Sequence, residues 1–156
     1  MKISIVAVGH RMPSWVSDGF KVYQQRLPKH FCPELIEIPA VTRSATMPVD
    51  RAMQREGDKM MKQLQPDHHV VALDEHGLQW ASKQLAGEMD VWQSTYQQVT
   101  FLIGGADGLS PQCKARANQI WSLSRLTLPH GMVRVQLCEQ IYRGWTILQG
   151  HPYHRE

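Results

Sequence analysis

Residues 98–118 read QVTFLIGGADGLSPQCKARAN. A β-rich run ends in two glycines, a third follows, and then Ser-Pro. The spacing predicts a strand over 98–105, a turn, and a short helix over 110–118 with Ser110 as its cap and Pro111 at its first position. Gly104 and Gly105 let backbone approach a ligand and accept positive φ, and Gly108 allows the turn into the helix. Outward from this unit the same alternation repeats. ISIVAVG (3–9), ELIEIP (34–39), HVVALD (69–74) and IWSLSRLTLP (120–129) read as further strands, the last running into a loop. Helical patterns fall at 14–27, from Val49 to Leu64, at 82–96 with Ser82 as N-cap, and at 132–149; EHG (75–77) reads as a turn. Strands alternating with helices predict an α/β fold, a mainly parallel sheet flanked by helices. No repeat, linker or low-complexity stretch divides the 156 residues, so a single domain over 1–156 is expected.

Composition narrows the function. Seventeen Lys and Arg oppose fourteen Asp and Glu, a net charge of +3. That is compatible with an anionic partner but too weak for bulk attraction to RNA. The three cysteines, Cys32, Cys113 and Cys138, form no CxxC pair and read as reduced thiols of a cytoplasmic protein. No apolar run reaches the ~18 residues of a membrane span. The N-terminal MKISIVAVG lacks a small-residue cleavage site and reads as a first strand, not a secretion signal.

In open α/β sheets ligands lie beyond the carboxyl ends of the strands. Three such ends are candidates: Leu73–Asp74, Gly104–Gly105, and the run from Leu123 to Leu128. GGADG is neither GxGxxG nor a Walker loop, since no acidic residue or GK[ST] follows at the required place. The run SLSRLTLP sets Ser122, Ser124, Arg125 and Thr127 among Leu123, Leu126 and Leu128. Its backbone could meet the edge of an adenine while the leucines supply an apolar slot; an edge strand with one polar face is the plainer alternative.

FLIGGADGLS, SLSRLTLPHGMVRVQLCEQIYRGW and the terminal HPYHRE, together with VAVG, HRMPSW and ELIEIP, resemble the RlmH family over essentially the whole chain. These are SPOUT-class methyltransferases acting on pseudouridine in large-subunit ribosomal RNA. Ala106-Asp107 departs from the family's usual Pro-Glu, and Gly131-Met132 from its usual pair. The resemblance implies a C-terminal trefoil knot, a homodimer, and S-adenosylmethionine as methyl donor bound by Leu73, Gly104 and Leu123, Ser124, Arg125, Leu126, Thr127 and Leu128. A side chain at Gly104 would then crowd the cofactor's seat. Ribosomal RNA, on the assembled ribosome, is the implied partner, with no membrane and no metal required.

The implied acceptor, N3 of pseudouridine, carries a proton that must leave, so a general base helps. His130, His154 and water are candidates. The resemblance also brings Tyr153, His154 and Arg155 into the site, within reach of a partner subunit: Tyr153 to stack on a base, Arg155 to hold a phosphate. On the last helix, Val133, Leu137, Ile141, Trp145 and Leu148 share one arc, and Arg134 falls within it. A charge there either snorkels or faces a carboxylate or phosphate at a dimer seam or active-site mouth. Glu139 and Arg143 read as an exposed i,i+4 pair. Two other functions are open at this point. Asp74 ends a strand as a receiver's phospho-acceptor would, although the first strand lacks the acidic pair for Mg²⁺. A non-catalytic ribosome- or RNA-binding factor on the same fold is the other.

Overall fold

The structure is a computed structural model that describes residues 1–155. Five strands form one sheet: β1 (Lys2–Val8), β2 (Pro33–Ile38), β3 (His69–Gln79), β4 (Gln98–Ile103) and β5 (Gln119–Ser122). Their order is β2-β1-β4-β3-β5, and every pairing is parallel. Four helices connect successive strands, α1 (Ser14–Gln24), α2 (Val49–Met61), α3 (Ser82–Thr95) and α4 (Pro111–Arg116), and α5 (His130–Gln149) follows β5.

Parallel strands with helices on both faces must be apolar on both faces. The β1 sequence ISIVAV meets that demand, and Ile3 through Val8 are all buried. Ile3, Ile5 and Ala7 pack with Phe20 of α1, Met89 and Trp92 of α3, and Leu137 and Ile141 of α5. Val6 and Val8 point the other way, into a second core with Met60 of α2 and Cys113 of α4. The period of two along the strand thus divides the helices into two layers.

Two local expectations give way and one holds in part. EHG is no turn: β3 continues to Gln79, shifts register between Leu73 and Leu78, and pairs Leu78 with Trp121 and Gln79 with Ser122. Gly77 permits the crossing, because a Cβ there would lie 2.8 Å from the Ile120 backbone. β5 runs into a loop as expected, but the strand is short and stops at Ser122. Side chains capture the backbone beyond it: Ser122 Oγ donates to Ser124 O at 2.8 Å, and Leu126 N donates to Ser124 Oγ at 2.9 Å. Ser82 does not cap α3. Ala81 is the N-cap, its N–H donating to Gln84 Oε1, while Ser82 Oγ donates to Gln140 of α5. Ser110, by contrast, caps α4 as expected, accepting from Cys113 N.

Candidate active site

Leu73, Ile103 and Trp121 are register partners on β3, β4 and β5, so these three neighbouring strands deliver their following residues to one place. A cavity of about 410 Å³ opens there, within the usual range for small-molecule sites.

The glycine loop makes its floor. Gly108 N donates to Gly105 O at 3.1 Å, and Gly108 takes φ +83°. The loop closes so tightly that a Cβ on Gly104 would lie 2.6 Å from Gly108 O and Leu109 N. The glycine at 104 is therefore required first by the loop's own backbone, before any ligand is considered.

The loop after β5 makes the opposite wall. Leu123, Ser124, Leu126, Thr127 and Leu128 line the cavity with Leu73, Gly104 and His130, so eight of the predicted residues converge. Arg125 does not line it; it is exposed. Thr127 Oγ1 donates to Glu75 Oε2 at 3.1 Å, tying this loop to the β3 extension.

Lys114 and Val133 also line the cavity and were not anticipated from the sequence. Lys114 reaches it from α4 and holds Asp74 at 2.8 Å. Burial works to raise the Asp74 pKa, but the Lys114 ammonium and the His76 amide outweigh it, and the carboxyl ends below its ordinary value. No spacing in the sequence links Asp74 to Lys114; helix packing does. Asp74 is thus engaged, and the order β2-β1-β4-β3-β5 is not the 2-1-3-4-5 order of receiver-like sheets. The strand order removes the receiver-like reading.

The other predicted residues lie elsewhere. Arg134 is 1% exposed and neither lines this cavity nor snorkels. Its guanidinium donates to Glu37 Oε2 at 2.6 Å and to Gly9 O at 2.8 Å. It therefore faces a carboxylate of its own chain. Glu139 and Arg143 do pair, at 2.9 Å, but beneath Tyr153 rather than on an open surface. Tyr153 Oη donates to Glu139 Oε1 at 3.0 Å and its ring meets Tyr142 edge-on. Burial and then Glu139 raise the phenol's pKa, so it stays protonated. Glu139 lies about 14 Å further along α5 than His130, on the opposite face. Tyr153 is thereby held well away from the cavity that His130 lines. Arg155 is exposed, and the side chain of His154 lies outside the described residues.

All three cysteines are free, and burial pushes the Cys138 thiol up to about 12. Among the described residues no cluster of three His, Cys, Asp or Glu could hold a metal ion, and no helix is long and apolar enough to cross a membrane.

An α/β sheet with a ligand-sized cavity at its carboxyl edge, walled by a glycine loop and a leucine loop, fits the SPOUT class of methyltransferases. Comparison with known proteins agrees. The family model described as "Predicted SPOUT methyltransferase" matches residues 1–154. The chain belongs to this family. It is 48% identical to a Marinomonas protein over 155 residues, covering 99% of this chain and all of that one. It is 49% identical to a Hahella chejuensis protein over 156 residues, covering the whole of both. Each relative is named "Ribosomal RNA large subunit methyltransferase H". Two solved structures share the fold at 12% identity. A methylase family protein from Neisseria gonorrhoeae aligns at TM-score 0.59, over 90% of this chain and 81% of that one. A methyltransferase from Bordetella pertussis aligns at 0.61, over 92% and 93%.

Proposed function

We propose that this chain methylates N3 of a pseudouridine in large-subunit ribosomal RNA, using S-adenosylmethionine, on the assembled ribosome in the cytoplasm. The observation that carries the reading is the convergence of three strand ends on one cavity, where the residues that the family resemblance assigns to the cofactor meet, Arg125 excepted. The relatives' printed name supports ribosomal RNA as the substrate.

The residues present fit that donor. Leu73, Leu123, Leu126 and Leu128 offer apolar walls, and a glycine loop with no side chains at 104 and 105 brings backbone close. No basic phosphate cradle is needed for a ligand without phosphate. When bound, S-adenosylmethionine supplies a methyl group already activated on sulfonium. The chain's task is to hold donor and acceptor in line and to exclude water. The position of His130 on the cavity wall supports it as the group that takes the imide proton.

The tail completes the site in trans. Tyr153 is held away from its own chain's cavity, which supports a homodimer whose partner supplies Tyr153, His154 and Arg155. The same reading carries the trefoil knot.

The test is to incubate the chain with labelled donor and ribosomes lacking the modification, then map the label. Label at N3 of one pseudouridine is expected. A chain lacking residues 153–156 should bind the cofactor and transfer nothing. Label on an ordinary uridine, or none at all, would overturn the assignment; full turnover by the shortened chain would remove the tail from the site.

A further inference from the structure

We infer that Arg43 is a positioning residue: it holds the glycine loop in the shape that seats the adenosyl ligand, an inference that rests on the cavity reading above. Arg43 lies between β2 and α2, far in sequence from the loop. Its Nε donates to Asp107 Oδ2 at 3.1 Å, and its Nη2 lies 3.1 Å from the same oxygen. The other edge of the guanidinium grips Glu56: Nη1 donates to Oε2 at 2.6 Å and Nη2 to Oε1 at 3.2 Å. Nη1 also donates to Val41 O, and Val41 N donates to Glu56 Oε2 at 2.9 Å.

The two carboxylates differ in setting. Glu56 is 2% exposed on α2, whereas the Asp107 side chain is 39% exposed and lines the cavity. Arg43 thus connects a buried anchor on α2 to the glycine loop that lines the cavity. Gly104, Gly105 and Gly108 give residues 104–108 much conformational freedom, and ordering them on binding costs entropy. A tie that selects the loop's shape beforehand lowers that cost and tightens binding. The planar fork commits separate N–H groups to each carboxylate in a fixed geometry, which the point charge of a lysine lacks.

The experiment titrates S-adenosylhomocysteine into the full chain by calorimetry. Asp107→Ala and Arg43→Lys are each expected to weaken binding about five- to tenfold. The double variant should be no weaker than either single one, because both remove the same tie. Asp107→Glu should restore binding. The melting midpoint of Asp107→Ala should stay within about 2 °C of the parent, as for a half-exposed site. Hydrogen exchange of the Gly105 and Gly108 amides, measured without ligand, should quicken in Asp107→Ala. Unchanged affinity in both single variants, or losses that multiply in the double one, would overturn the inference. Failure of the parent chain to bind S-adenosylhomocysteine would sink the cavity reading instead; exchange at the two glycine amides would then decide the tie, with unchanged rates rejecting it.

Discussion

Gly104 and Gly87 show how little a residue's identity says without its surroundings. A Cβ on Gly104 would collide with the backbone at Gly108 and Leu109, whereas one on Gly87, inside α3, would meet nothing within 4 Å. Gly104→Val should therefore destabilise the fold by about 1–3 kcal/mol through overpacking. The expectation that a side chain there simply crowds the cofactor is too narrow, because the loop itself is crowded first. Gly87→Ala should instead stabilise by about 0.5–1 kcal/mol, since glycine is costly within a helix. Urea denaturation of both variants without ligand checks the pair; a Gly104→Val chain as stable as the parent would refute the closed loop. Both glycines were visible in the sequence, and the GG pair marked a close approach. What approached was the same loop, which only coordinates reveal.

At the scale of the element, α5 carries an arginine on its apolar arc. Helical periodicity foretold that Arg134 points inward, but not what it meets. β1 ends at Val8, leaving the carbonyl of Gly9 facing the core, and Glu37 of β2 stands beside it. Arg134 satisfies both and so fixes α5 against the carboxyl ends of β1 and β2. Arg134→Met keeps the length and removes the donors. Glu37 has a 39% exposed side chain and can regain water, so the loss should be nearer that of charged hydrogen bonds than of a sealed ion pair: about 2–3 kcal/mol. A shift of the urea midpoint with unchanged slope is the expected result; an unshifted midpoint would show that the contacts contribute nothing. The short β5 belongs to this scale as well. SLSRLTLP has the composition of a strand, yet serine hydroxyls bind its backbone locally and turn it into a cavity wall.

For the whole molecule, the question is where the tail acts. The long axis of α5 separates His130 at the cavity from Tyr153 folded back on Glu139. If sites are completed in trans, two inactive chains should repair one another. A chain lacking residues 153–156, mixed and re-associated with a full-length chain whose cavity is blocked by Leu73→Trp, should recover roughly a quarter of the parent's methyl transfer. By two-fold symmetry half of the dimers are mixed, and each has one complete site. No recovery in a mixture shown to contain mixed dimers would place the tail's work within its own subunit.

The sequence by itself determined the layers of this protein. Alternating strand and helix periods, doubly apolar strands and the Ser110-Pro111 helix start are local signals, and across the elements that form the layers local propensity and burial agree. The resemblance carried by its motifs also points to the family without the fold. Tertiary structure alone decided the contacts that join distant segments: Lys114 on Asp74, Arg134 on Glu37, and Arg43 between Glu56 and Asp107. Such pairs have no period and no fixed spacing. They arise only when the packed fold brings long side chains within ~4 Å of a charge, and that distance is a property of the fold rather than of any stretch of chain.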